Sequence, residues 1–568
     1  MGNKATNEAP APAWADTLRR RYLAEEASLF LVHGNVRDLV PVGDGYATLE
    51  EYIERLLART KEVVCFYDYS RGLRFSRRGM KEKFLLTSNT RRILRGQAEI
   101  DDDFPKDPLR LFPILEDFVT DPAAHGALVM DYVETVVPAG DISFMGAEDR
   151  SSLVTLQRWT ADPAILGSDN LIILLTESLP DVNRKVLHCP QLSTIEVPMP
   201  DQGDRLAFIR HLREEYPAPG IRADLLAQIT AGLTLVQIEG IFRQVRQGGG
   251  KISFDVVSEA KRRIIEQECF GLIEFVRSDH DFKAVGGLDE NKAVLNRVSD
   301  NLKKGRKARV PMGILFVGPM GTGKTFVAEA FANECELTCV KFKNFREKWV
   351  GSTEGNLERI LNVIKAMGYV LVMIDEGDRS MGGGSGETDG GTSSRVTARL
   401  KEFMSDTSHR GSIIFIMMTN RPDKLDADMK RPGRFDLKLP FFFPQTTEER
   451  ANITRALAHK NKINHGIRSF KNVGEATDGM SGAEIEAVLL SAIGLAEEEG
   501  KDKITEKHVR DAIADYIPSR DTVMLDYMAM LAVFECSSRR LLPERYQRVD
   551  TDELNSRIRL MRTQLLTR

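Results

Sequence analysis

The sequence predicts an α/β fold built twice over: a parallel sheet followed by a helical lid, then the same plan again. Three observations carry this. Apolar runs of strand length alternate with longer segments of helical periodicity, the pattern of a sheet covered on both faces. The alternation falls into two halves with its elements in the same order. Two stretches also realign between the halves. The segment from Thr176 through HCPQLSTIEVP matches the one from Thr419 through KRPGRFDLKLP, and ITAGLTLVQIEGIF matches ATDGMSGAEIEAVL.

Residues 1–14 are small, polar and proline-bearing, so a disordered lead-in is expected. The first α/β module, 15–200, has strands in SLFLVHG, EVVCFYD, ALVMDY, NLIILLT and LSTIEVP. A lid and linker occupy 201–278, with AKRRIIEQECFGLIEFV read as a helix, and Gly286–Gly287 mark a turn beyond it. The second large domain, 279–445, has strands in GILFVG, CVKFK, YVLVMID, SIIFIMMT and LKLPF, and its lid spans 446–520. In the helical extension 521–568, Met524, Leu525, Met528, Leu531 and Phe534 have helical spacing and are expected to pack against the lid or a neighbour, with a partner-binding methionine surface as the alternative.

The 568 residues suffice for about three or four domain-sized units. A hydrophobic share of 42% and a charged share of 29% are ordinary for globular chains, and a net charge of −4 gives no nucleic-acid or membrane footprint. No apolar run reaches membrane-helix length and no secretory signal opens the chain, so a cytoplasmic protein is expected. Six scattered cysteines, the closest pair being Cys335 and Cys339 on a predicted strand, fit reduced thiols rather than a disulfide framework or zinc site.

The chemistry lies in the second half. GILFVGPMGTGKTFVAEAFA reads strand, glycine-rich loop, helix, and Gly318, Pro319, Met320, Gly321, Thr322, Gly323, Lys324 and Thr325 satisfy G-x-x-x-x-G-K-[ST] in full. Such a loop turns its N–H groups toward phosphate, and the helix start adds partial positive charge. Lys324 is the candidate for the β- and γ-phosphates, and Thr325 for Mg2+. YVLVMIDEGD ends a strand in two acids, Asp375 for the metal and Glu376 to polarise an attacking water. Asn420 ends the next strand, near the γ-phosphate position. Arg431 and Arg434 sit at a turn, where they are either solvated or reach a neighbouring subunit's γ-phosphate.

From about Asp281 to Ser519 the sequence resembles the AAA+ ATPases, specifically the AAA family in the narrow sense. The matching motifs are VGGLDENK, GPMGTGKT, KWVGSTEGNLERI, LVMIDEGD, GGTSSRVTARLKEFM, TNRPDKLDADMKRPGRFD and GMSGAEIEAV. The resemblance implies two P-loop NTPase-like modules, with ATP and Mg2+ as cofactors and a ring, most often a homo-hexamer, holding ATP between subunits. It makes Asn420 sensor 1 and Arg431 and Arg434 trans-acting fingers. It places Val285, Gly286, Gly482 and Ala483 around adenine and ribose, and Trp349 and Val350 in a pore loop that grips a polypeptide. A flat aromatic can do this through apolar contact without reading sequence. The alternative for Trp349 is burial in the domain.

The first half has lost these features. No Gly-Lys-Ser/Thr follows its first strand, Asp131 is succeeded by Tyr132, Glu177 stands in the slot of Asn420, and NRKVLHCPQ has no arginine pair. A buried carboxylate there would repel phosphates, so neither hydrolysis nor ATP binding is expected in this module. A degenerate first module and an intact second one resemble the tandem AAA proteins of plastids and cyanobacteria. The leading function is an ATP-driven protein-remodelling ring. The alternative is a nucleotide-switched assembly scaffold or a nucleic-acid-associated ATPase, against which Trp349 and the charge balance argue. HExxH occurs nowhere in the chain, which removes a metalloprotease reading.

Overall fold

The computed structural model describes residues 11–215, 221–248, 251–269, 271–343, 353–375, 392–518 and 521–566. It divides into two compact units: Met1–Ile265 with Glu354–Ala366, and Glu266–Thr353 with Met367–Arg568.

In the first unit the strands are β1 (Leu29–Gly34), β2 (Leu39–Val42), β3 (Gly45–Thr48), β4 (Val63–Asp68), β5 (Gly72–Phe75), β6 (Gly126–Met130), β7 (Leu171–Thr176) and β8 (Leu192–Val197). β2 and β3 form a separate hairpin, and the sheet order is β5-β4-β6-β7-β1-β8. All its pairings are parallel except β5 on β4. The second unit has β9 (Ile273–Val276), β10 (Gly313–Val317), β11 (Thr338–Phe342), β12 (Val370–Ile374), β13 (Ile413–Thr419) and β14 (Leu437–Pro440). Their order is β14-β10-β13-β12-β11-β9, again parallel except for one edge strand, β9.

The five parallel strands coincide one for one when the orders are read from β8 and β14, whereas the antiparallel edge strands differ, β5 following β4 in the chain and β9 preceding β10. β6, β7, β10, β12 and β13 are buried along their whole length, as a sheet packed on both faces requires. Two short edge strands and the hairpin are additions to the sequence reading. The linker read as one helix is a helix, Phe254–Glu268, and then strand β9. Cys335 ends a helix while Cys339 lies on β11. All six thiols are free, and burial pushes those of Cys335 and Cys339 up to about 12.

The duplication extends to the lids, each with four helices on the same plan. Arg205 in one and Arg450 in the other are both buried. Arg205 donates to the carbonyls of Pro200 and Ala227, and Arg450 to those of Pro444 and Gly474. The helices Leu235–Gln247 and Gly482–Glu498 both open with a capping box, Thr234 with Gln237 and Ser481 with Glu484, which satisfies two N-terminal donors reciprocally.

Within the first lid Lys261 is buried. Burial, then the charge of Arg205, holds its ammonium down at about 8. The unfolded chain keeps that proton to about pH 10.4, so the unfolded state binds more protons between the two values and stability rises with pH there. Chemical denaturation at pH 7.5 and 10 should show this gain, up to about 3 kcal/mol. Lys261→Met should abolish it, and an unchanged slope in that variant would refute the assignment.

Candidate functional site

The loop between β10 and the helix Lys324–Cys335 starts at a position only glycine can fill. A Cβ on Gly318 would lie 2.0 Å from the Phe441 carbonyl oxygen, because the loop leaves the sheet between β13 and β14. Gly318 N donates to Thr419 O, and Phe441 N to Val317 O. Beyond the turn the Thr322 hydroxyl donates to Pro319 O at 2.9 Å. Ala483 N donates to Gly321 O at 3.2 Å, so the lid helix Gly482–Glu498 begins directly on the loop. The Lys324 ammonium donates to the carbonyls of Gly318 and Pro319, at 2.8 and 2.7 Å. The sequence reading aimed it at phosphate oxygens. Here it lies along its own loop, and a phosphate has to compete for it.

Asp375 follows β12, and its Oδ2 accepts from Lys341 of β11 at 2.9 Å. Asn420 follows β13. Its buried Oδ1 has no hydrogen-bond partner among the described residues, an arrangement that costs about 1–3 kcal/mol unless a donor arrives. Lys324, Thr325, Asp375 and Asn420 line one cavity of about 1270 Å³ at the C-terminal ends of the strands, where open α/β sheets bind ligands. The Thr325 hydroxyl and the Asp375 carboxylate are hard oxygen donors suited to Mg2+. No cluster of three or more His, Cys, Asp or Glu able to hold a metal occurs among the described residues, so phosphate and water oxygens would complete the coordination. The orphaned Asn420 oxygen fits a water molecule as its donor.

At the other end of the cavity Val285, Gly286, Gly482 and Ala483 lie on the wall together with Ile453 and Leu457 of the lid. A Cβ on Gly286 would sit 2.5 Å from Ile453 Cα, so glycine is what lets lid and loop meet. Val285 has both backbone polar groups engaged, its N–H with Phe282 O and its carbonyl with the Lys292 ammonium. It therefore offers the cavity an apolar side chain only.

Met320, Gly321, Thr322 and Gly323 line the cavity, whereas Gly318 and Pro319 are not on its wall. Arg431 and Arg434 are off the wall too. Arg431 pairs with Asp428 at 3.0 Å with its side chain 72% exposed. Arg434 donates to Asp428 O and Ser405 Oγ. Glu376, Trp349 and Val350 lie outside the described residues.

Sequence reasoning missed Phe326, which stacks on His280 at 3.9 Å with Lys460 4.8 Å above its ring. Its place directly after Thr325 was the one available signal. It also missed the cavity wall contributed by Arg540, Arg545 and Arg548, for which no motif exists.

The corresponding place in the first unit is filled from within. Arg37, just after β1, pairs with Asp131 at 2.7 Å and with Glu177 at 3.4 Å, and its guanidinium lies 3.8 Å from the Tyr132 ring centre. Glu177 also takes Arg359 at 2.6 Å. Glu177 is 41% exposed, so it is not the buried, phosphate-repelling carboxylate expected; paired arginines account for it instead. Asp38 is buried and accepts from Leu39 N, Asn35 Nδ2, Leu235 N and Val236 N, all at 2.8 to 3.0 Å.

A parallel sheet with a phosphate-type loop on a central strand, acids on the next strands and a helical lid defines a nucleotide-binding α/β machine. Comparison with known proteins sharpens that class. Residues 314–443 match the family model described as ATPase family associated with various cellular activities (AAA). Residues 4–198 match the AAA+ chaperone N-terminal Rossmann-like domain, and 203–270 the AAA+ chaperone second helical domain. The chain is 32% identical over 296 residues to an ATP-dependent zinc metalloprotease FtsH of Caldicellulosiruptor bescii, covering 50% of this chain and 46% of the relative. It is 27% identical over 344 residues to an ATPase family protein 2 homolog of Caenorhabditis elegans, covering 58% and 47%. The chain thus spans about half the length of the curated relatives it matches. All three matched segments are described as AAA or AAA+ modules, and the ATPase model falls on the second large domain. No helix among the described residues is long and apolar enough to cross a membrane.

Proposed function

We propose that this protein assembles as a homo-hexameric ring whose ATP hydrolysis drives remodelling or threading of a protein substrate, in the cytoplasm. The observation that carries the reading is the convergence of Lys324, Thr325, Asp375 and the Asn420 oxygen on one cavity, while the exposed Arg431 lies off the wall of its own site.

Bound Mg2+–ATP would supply the phosphoryl group that passes to water. Lys324 would grip its oxygens, and Thr325 and Asp375 would hold the metal. The Asn420 carbonyl oxygen accepts from the attacking water and so fixes its direction. Glu376 polarises that water. Arg431 and Arg434 of the neighbouring subunit neutralise charge developing on the phosphoryl oxygens, a contribution of roughly 10³–10⁵ in rate where such fingers operate. The first module, its slot occupied by Arg37 and Asp38, holds no nucleotide and serves as scaffold or adaptor.

Light scattering with ATP should return the mass of six chains. An unfolded protein such as casein should raise ATP turnover, and Trp349→Ala should lose most of that rise, about tenfold. A dimer, or stimulation that survives the substitution, would overturn the ring-threading reading.

A further inference from the structure

The C-terminal extension does more than end the fold. Its helix Thr522–Glu535 is bound to the segment that carries sensor and fingers. The Tyr527 hydroxyl donates to Asp423 at 3.1 Å, and the Arg421 guanidinium lies 5.1 Å from the Tyr527 ring. Glu535 is 7% exposed and is shared by Lys430 and Lys438. From there Ser537 pairs with Lys438 of β14 through two hydrogen bonds, N–H to Lys438 O and Lys438 N–H to Ser537 Oγ. Leu541 then enters the hydrophobic core of the second unit. Tyr546, also buried, sets its ring 5.5 Å from that of Phe442, in the connector between sheet and lid. A strap fixed at so many points has a defined position. That position is on the wall of the nucleotide cavity, to which it presents Arg540, Arg545 and Arg548.

The size of the cavity shows that this wall belongs to the site. A small-molecule cleft is roughly 300–1,000 Å³, and this one reaches about 1270 Å³ because it runs from the loop Met320–Thr325 out to the strap. The strap itself brings three guanidinium groups against the single carboxylate of Glu544, while Asp289, Glu290, Glu449 and Glu486 line the cavity from other elements. Arg540 and Arg548 make no ion pair among the described residues, and Arg545 lies over its neighbour Tyr546 at 4.5 Å. All three are exposed and so are able to move onto a ligand. The phosphates belong to the opposite end, with Lys324 and Thr325. What remains for the strap is the purine and ribose, which offer flat faces for guanidinium stacking and neutral nitrogen and oxygen acceptors.

We propose that the strap 538–548 is a working wall of the nucleotide site, with Arg540, Arg545 and Arg548 positioning the base and ribose and so setting affinity for ATP and ADP. This rests on the reading of the cavity as an ATP site. Because Tyr546 meets the connector at Phe442, the same contact ties nucleotide occupancy to the lid.

The test is calorimetric titration of the full chain with ATP, ADP and inorganic tripolyphosphate. Arg540→Ala/Arg545→Ala/Arg548→Ala should weaken ATP and ADP by roughly tenfold or more, the equivalent of losing one or two good hydrogen bonds. It should leave tripolyphosphate affinity at the wild-type value, and KM for ATP should rise with Kd. The exposed arginines should not change the thermal midpoint of the nucleotide-free protein, whereas the core variant Leu541→Ala should lower it. Wild-type ATP affinity in the triple variant overturns the strap's role alone. Equal losses for ATP and tripolyphosphate also overturn it, since they put the arginines at the phosphates. Absence of ATP binding in the wild type overturns the nucleotide reading itself and the strap's role with it.

Discussion

Lys324→Ala should lose ATP binding and with it at least about a hundredfold of hydrolysis, the usual scale for removing one preorganised charge from a reacting phosphoryl group. The lysine ammonium sits 2.7–2.8 Å from two carbonyls of its own loop, so its removal also relaxes the turn that aligns the backbone amides. Glu376→Gln should behave differently. The amide keeps the shape of the carboxylate and leaves the phosphate grip intact, so ATP should bind while turnover falls by roughly 10²–10⁴, the share of a general base. Equilibrium binding and phosphate release on the two variants separate gripping from water activation. Undiminished ATP affinity in Lys324→Ala would remove the foundation of the site, and wild-type turnover in Glu376→Gln would move the water-polarising role to another residue.

The contrast reflects what a sequence encodes locally. The loop 318–325 was legible because its geometry demands glycines at fixed spacing and its chemistry demands Lys324 and Thr325 beside them. The buried strands were legible because each is a short, continuous apolar run. β5 and β9 were not, since four residues at a sheet edge, one buried and three half-buried in each, carry too little pattern to separate them from loop or helix. Nor was the outer wall of the cavity, where Phe442 and Tyr546 meet across a hundred residues of intervening chain. In the first module the missing lysine was plain, but not what replaced it. Arg37 finds Asp131 and Glu177, and Asp38 finds Leu235 and Val236, through folding alone. The expectation of a repelling carboxylate failed for that reason: Glu177 was judged without the arginines that neutralise it.

Asp38→Ala should destabilise the first unit by about 2–4 kcal/mol, because it strips the acceptor from two helix-terminal amides, one buried and one part-buried. Leu235 and Val236 realign with Gly482 and Ala483, the lid residues that flank the nucleotide cavity in the second unit. The helix start that lines a ligand cavity in one copy, with its Ala483 amide on Gly321 O, is thus capped in the other by a carboxylate from the loop after β1. Arg37 likewise brings a fixed positive charge to Asp131, the counterpart of metal-side Asp375. The Asp38 carboxylate built into the chain holds the start of this lid helix whether or not nucleotide is present. Hydrogen exchange should therefore accelerate across 235–247 in Asp38→Ala, with no protection restored by ATP, while Asp38→Asn, which retains one acceptor oxygen, should lose less. Wild-type protein should take up a single ATP per chain. Two equivalents bound, or wild-type exchange in Asp38→Ala, would show that the first lid is held by something other than its internal carboxylate.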